Sequence, residues 1–134
     1  MLLKGVVALG DMTKNFSRNE FACKCGCGSD NINRLLVETL QVIRETAGGA
    51  LTINSGVRCT KHNKAVGGVP DSQHLLGKAA DISWERPAGD LYNIIYRLYK
   101  QGRIPHLGYV KLYTRQNFVH VDVRSPKSNL VAGW

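Results

Sequence analysis

The stretch DSQHLLGKAADIS, residues 71–83, sets His74 and Asp81 seven positions apart with Gly77 between them. An imidazole and a carboxylate are the side chains that hold a divalent cation or move a proton near neutral pH. Fully extended, the chain between them would span up to ~24 Å, too far for both to reach one small ion. The segment must bend if the two cooperate, and Gly77, with no Cβ, is free to supply the bend. Further on, FVHVDVR alternates: Val119, Val121 and Val123 share one strand face, and Phe118, His120 and Asp122 share the other. With the valines buried, His120 and Asp122 face a cleft or solvent. Two imidazoles with one or two carboxylates suit zinc with an open fourth position. Such an ion lowers the pKa of its water and polarises a carbonyl, which amide hydrolysis requires. A His or Asp on a polar strand face is also an ordinary solvated residue, and spacing alone leaves both readings open.

The remaining chemistry-bearing residues are less specific. Cys23, Cys25 and Cys27 stand in CKCGCG and Cys59 follows SGVR. They read either as a structural cluster, with Cys59 folding back onto the N-terminal loop as a disulfide or as thiolates on zinc, or as reduced thiols. Their one-residue spacing is not that of a zinc knuckle, and none resembles a nucleophile. His62 and His106 read as surface or loop residues. Trp84 and Trp134 could stack on a sugar or peptide, but an aromatic after a buried strand or at a chain end usually packs.

The elements that must position these groups come in mixed order. SRNE, residues 17–20, fits a capping box with Ser17 and Glu20, so a short helical turn precedes the cysteine loop. A helix follows, capped by Asp30 or Asn31, with Ile32, Leu35, Leu36, Leu40, Ile43 and Ala47 as its core face and Gly48 and Gly49 as its stop. LTIN is a strand with Leu51 and Ile53 on one face, running into SGVRC and the loop VGGVPDSQ, where Gly67 and Gly68 shape the backbone. Residues 79–83 form a second strand. A second helix, capped near Asp90, buries Leu91, Ile94, Ile95 and Leu98. HLGYVKLY and FVHVDVR then pair as a hairpin, giving an α+β class.

A chain of 134 residues is expected to be one domain, 1–134, able to bury a core. It has 43% hydrophobic and 21% charged residues, with no repeat and no apolar run that could span a bilayer, so no membrane partner is expected. In MLLKGVVALGDM, Lys4 interrupts the apolar patch, and classical secretion is not expected. The net charge of +8 favours acidic partners, anionic cell-wall polymer among them, but the basic residues are scattered, which argues against a nucleic-acid groove.

Ser72, His74, Gly77, Ala79 and Asp81 match S-x-H-x-x-G-x-A-x-D. With SGVR upstream and FVHVDVR downstream, they resemble the zinc D-Ala-D-Ala carboxypeptidases and their L-alanyl-D-glutamate endopeptidase relatives, over about Phe16 to Arg124. The resemblance implies a hedgehog/DD-peptidase fold, a small antiparallel sheet with helices packed on it. It implies one catalytic Zn2+ held by His74, Asp81 and His120. Arg58 then matches the arginine that holds a substrate carboxylate or carbonyl, for which a guanidinium offers a planar two-donor fork. Ser72 matches a serine near substrate, with loop capping as the alternative. Many relatives carry the general base three residues before the last histidine, where this chain has Asn117, which takes no proton. Asp122 is the substitute expected as base, with orientation of a ligand as the alternative, and Glu85 is a weaker one.

The implied activity is zinc-dependent hydrolysis of peptidoglycan stem peptides by a metal-activated water, in a monomer resembling a phage or prophage lysis enzyme. Such an enzyme would stay cytoplasmic until lysis, or reach the cell wall or periplasm by a route not encoded in this chain. The alternative is a zinc-stabilised wall- or peptide-binding module with weak or no turnover, which Asn117 favours.

Overall fold

The computed structural model describes residues 10–127. The N-terminal apolar patch up to residue 9 and the tail with Trp134 lie outside them. A 3-10 turn, Arg18–Phe21, opens the ordered elements, and the Glu20 carboxylate accepts a bond from the Ser17 N–H at 2.7 Å, as the capping box requires. Helices and strands then follow as α1 (Arg34–Ala47), β1 (Thr52–Ser55), α2 (Thr60–Ala65), β2 (Ala79–Ser83), α3 (Ala88–Lys100), β3 (Tyr109–Tyr113) and β4 (Phe118–Asp122), with a 3-10 turn, Gln73–Leu76, before β2. The strands form one antiparallel sheet in the order β1-β2-β4-β3. The α+β expectation is met.

Strand alternation divides the sheet into an apolar and a polar face. Ala80 and Ile82, Val110, and Val119 and Val121 are fully buried and join one core with Leu36, Leu40 and Ile43 of α1 and Leu91, Ile95 and Leu98 of α3. Each Val, Leu or Ile side chain here contributes about 1.5–3 kcal/mol by leaving water, so this layer holds the sheet in place. The opposite face carries Asp81, Tyr109, Lys111, His120 and Asp122, residues that alternate with the core positions. The packed face anchors the strands and leaves the other face for chemistry.

Several expectations need correction. The cap of α1 is Asn33, whose side-chain oxygen accepts from the N–H groups of Leu35 (2.8 Å) and Leu36 (3.3 Å), so the helix starts later than Asp30 or Asn31 would place it. Leu35, one position into that helix, is 41% exposed and not core; Val37 is buried instead. Asp90 lies in the first turn of α3 and does not cap it. The Ala88 N–H there is capped from across the molecule by the Asn117 side chain at 2.8 Å. Ile94 is half-buried and packs on the core edge. The segment after Cys59, for which the sequence pattern gave no element, forms the short helix α2, because the Cys59 sulfur accepts from the His62 N–H at 3.4 Å and starts a turn.

Candidate metal centre

The bend demanded of residues 74–81 is present. The Ser72 hydroxyl accepts from the His74 N–H at 3.2 Å and starts the 3-10 turn, and Gly77 ends it in the left-handed region at φ 70°. A Cβ at Gly77 would also collide with the Asn31 carbonyl, so both conformation and space call for glycine there. The turn brings His74 back over the start of β2. Asp81 is directly opposite His120 in the β2–β4 ladder, so their side chains emerge side by side on the polar face.

Three ligand atoms converge. His74 Nε2 lies 3.2 Å and His120 Nδ1 3.0 Å from the same Asp81 oxygen, Oδ1. Each imidazole has its other nitrogen occupied. His74 Nδ1 is 2.7 Å from the Gly56 carbonyl, and His120 Nε2 is 2.8 Å from Asp122 Oδ2. A carbonyl and a carboxylate can only accept, so these two nitrogens carry the protons of the neutral rings. The facing nitrogens then present lone pairs to Asp81, which has only lone pairs to offer. Three lone-pair donors aimed at one point repel unless a cation sits among them. Two imidazoles and a carboxylate are the zinc donor set with an open position, so the residues fit the ion. Without an ion, a proton on the facing nitrogens would take its place: burial would raise the Asp81 pKa, but hydrogen bonds from His120 and His74 then outweigh it and hold the carboxyl well below the usual carboxylate range. Burial likewise opposes a charged His120, while its bonds to Asp122 and Asp81 raise its pKa.

The supporting residues lie around this triad. Arg58 donates from Nη2 to Asp81 Oδ2 at 3.3 Å, from Nε to Ser55 at 3.1 Å and from Nη1 to Asn63 at 3.1 Å. A guanidinium has five N–H donors, so it orients the Asp81 carboxylate and has further donors beyond these three contacts. The Asn63 amide also donates to the Val69 carbonyl at 2.9 Å, and a Cβ at Gly68 would strike its oxygen, which explains one of the paired glycines. Arg58, Ser72, His74, Asp81 and His120 all line an open cleft of about 540 Å³.

Asp122 does not fit the base role expected of it. Its carboxylate is fully buried, accepts from His120 Nε2, and receives the Arg124 guanidinium at 2.7 Å and the Arg124 N–H at 3.1 Å. It is absent from the cleft wall, so it holds the His120 ring and fixes its tautomer. Asn117 does not face the cleft either. It turns the β3–β4 hairpin at φ 60° and spends its side-chain oxygen on α3. Glu85 approaches Gly49 past the end of α1 and is not a cleft residue. Ser72 caps its turn, the alternative set out for it. Trp84 packs on the core edge with its indole N–H on the Pro87 carbonyl at 3.1 Å. His62 and His106 take no part in the triad.

Two contributors had no separate signal in the sequence. Tyr109 meets His120 edge-on with ring centroids 5.8 Å apart, and Arg124 lies over the Tyr109 ring at 4.3 Å while pairing with Asp122. The alternation of YVKLY places Tyr109 on the site face, but only the β3–β4 register sets it beside the ligand pair.

A mononuclear zinc-type ligand set on one face of a small antiparallel sheet, with a guanidinium beside the metal carboxylate, defines a metallopeptidase class of site. The comparison of sequences is specific. A family model described as Peptidase M15 matches residues 14–122, and the chain belongs to that family. The match spans both histidines, Asp81, Arg58 and Asp122. M15 peptidases are zinc-dependent and act on peptides, so the chain is read as a zinc metallopeptidase with a peptide substrate. No curated protein matches the chain. Among the described residues no helix is long and apolar enough to cross a membrane.

Proposed function

We propose that this peptidase hydrolyses the stem peptides of peptidoglycan, as a D-Ala-D-Ala carboxypeptidase or an L-Ala-D-Glu endopeptidase. The observation that carries the reading is the convergence of His74 Nε2, Asp81 Oδ1 and His120 Nδ1 in a cleft that also presents Arg58. His74, Asp81 and His120 would hold zinc, which would supply Lewis acidity toward a peptide carbonyl and toward water. The protein does the positioning. Gly56 and Asp122 take the outer imidazole protons and keep the inner lone pairs free, and Arg58 steadies the second oxygen of Asp81. Arg58, Lys111 and Arg124 on the cleft wall give it a basic lining that suits the carboxylates of wall stem peptides. The net charge of +8 suits an anionic wall.

A second reading, a zinc-stabilised binding module without turnover, is favoured by one observation. Neither Asn117 nor Asp122 turns a side chain into the cleft, so neither supplies a base there. Mass spectrometry of defined peptidoglycan fragments incubated with zinc-loaded protein, with His74→Ala beside it, separates the two. A zinc-dependent mass loss absent from the variant supports the peptidase, and the fragment mass names the bond. Fragments that bind but stay intact across several wall chemistries point to the module.

A further inference from the structure

Four sulfurs meet where the N-terminal loop crosses the start of α2. Cys23, Cys25 and Cys27 alternate in sequence, and Cys59 directly follows Arg58. Alternate residues of an extended strand would stand about 7 Å apart, too far for one centre. This loop is wound instead. The Gly26 N–H returns to the Cys23 carbonyl at 3.1 Å, the Cys23 N–H bonds the Ser29 carbonyl at 2.7 Å, and Gly26 and Gly28 take φ 83° and 91°. The sulfur of Cys23 then lies 3.4 Å from that of Cys25 and 3.8 Å from that of Cys59, with Cys25 and Cys59 3.7 Å apart. Sulfurs of all four cysteines fall within 4.8 Å of one another, and all four are free. Tetrahedral zinc with Zn–S bonds of ~2.3 Å sets its sulfurs ~3.8 Å apart, so Cys23, Cys25 and Cys59 have the spacing of a thiolate cage and Cys27 is within reach as its fourth ligand.

The surroundings favour thiolates. The Cys59 N–H points at the Cys23 sulfur at 3.5 Å and the His62 N–H at the Cys59 sulfur at 3.4 Å. Three loop residues and one from the α2 cap also bridge segments 36 residues apart in sequence, as structural metal sites in small domains do.

We propose that Cys23, Cys25, Cys27 and Cys59 bind a second, structural zinc ion that ties the N-terminal loop to the start of α2. Because Cys59 adjoins Arg58, the ion would anchor the backbone that carries the guanidinium into the catalytic cleft. The site shares no ligand with the His74–Asp81–His120 centre and rests on no reading of the substrate.

The test is metal stoichiometry of the full chain purified in reducing, zinc-replete buffer, measured by native and elemental mass spectrometry. Two zinc ions per chain are expected. A His74→Ala/Asp81→Ala variant should keep one, and a Cys25→Ser/Cys27→Ser variant should keep the other. Should the cysteine variant not fold, cobalt loading of the His74→Ala/Asp81→Ala protein still decides. Thiolate-to-cobalt charge-transfer absorption with the d–d bands of a tetrahedral ion supports the site. Free-thiol titration should find the four thiols protected until a chelator is added. No zinc retained by the His74→Ala/Asp81→Ala variant, no charge-transfer band, or an intact mass showing hydrogens lost to disulfides would overturn the proposal. None of these readouts uses peptidase activity, so failure here leaves the wall-peptide assay to be judged separately.

Discussion

His74, Asp81 and His120 stand on hydrogen-bonded backbone and are buried or nearly so, whereas Cys23, Cys25 and Cys27 stand on a wound loop with two of the three exposed. Every histidine of the first group has an outer partner, the Gly56 carbonyl or Asp122, and the carboxylate has Arg58. In the second group the sulfurs bond mainly to one another and to a few amide hydrogens. The sheet therefore aims its ligands before any ion arrives, paid for by the packing on its far face. The loop has no such backing, and an ion there would serve as its core. One centre is preorganised for chemistry, and the other would make structure by binding.

This contrast can be broken at several points. Removing a ligand of the sheet site by His74→Ala should abolish activity, a loss on the order of 10³-fold or more, since a Lewis acid contributes several kcal/mol to the barrier. Circular dichroism should stay native, because the far face of the sheet holds the strands; an unfolded variant would contradict the claim of preorganisation. Asp122→Asn sharpens the assignment of its carboxylate. As a partner of His120 it should weaken zinc affinity by about 10–100-fold, whereas a lost base would lower kcat and leave zinc affinity alone. Competition with a metal chelator at fixed pH distinguishes the two outcomes.

Arg58→Lys replaces a planar fork by a point charge and removes charged hydrogen bonds worth about 1.5–3 kcal/mol each, so kcat/KM should fall by roughly 10–100-fold. Unchanged kinetics with wall peptides would remove Arg58 from substrate binding. On the loop side, chelation should lower the Tm of the His74→Ala protein, which lacks the catalytic ion, by on the order of 10 °C if the cysteine site is filled well above its Kd. Differential scanning fluorimetry with and without chelator reads this, and identical curves would count against loop dependence. The smallest effect belongs to Asn117→Asp. Its side chain faces the first turn of α3, where a carboxylate adds about 0.3–1 kcal/mol, and turnover should not rise despite the restored acid. A gain in kcat would mean that the hairpin turn reaches the cleft.

Most of the metal triad was legible in one dimension. Ser72 and Gly77 bracket a turn by local chemistry alone, and valine alternation in FVHVDVR puts His120 on the face away from the core whatever the rest of the chain does. The α1 cap was misplaced because Asp30, Asn31 and Asn33 are all competent caps, and only Asn33 sits where its oxygen meets the first free amides. Helix α2 escaped notice because six residues carry too little periodicity, and its start depends on a sulfur cap no pattern encodes.

The fate of the two candidate base positions shows where one-dimensional reading stops. Alternation correctly assigned Asp122 to the face of His120, yet the same face holds Arg124 next to it, and that pairing withdraws the carboxylate from the cleft. Asn117 stands at the spacing of a base, but its hairpin lies against α3, and the nearest orphan amide there captured the side chain. By itself the sequence determined the ligand types, the bend and the two faces of the sheet, because these follow from local backbone freedom and a period of two. The tertiary structure decided which lone pairs are free, which acids are spent and that Cys59 joins the N-terminal loop, because hydrogen-bond partners distant in the chain become neighbours only when the layers pack.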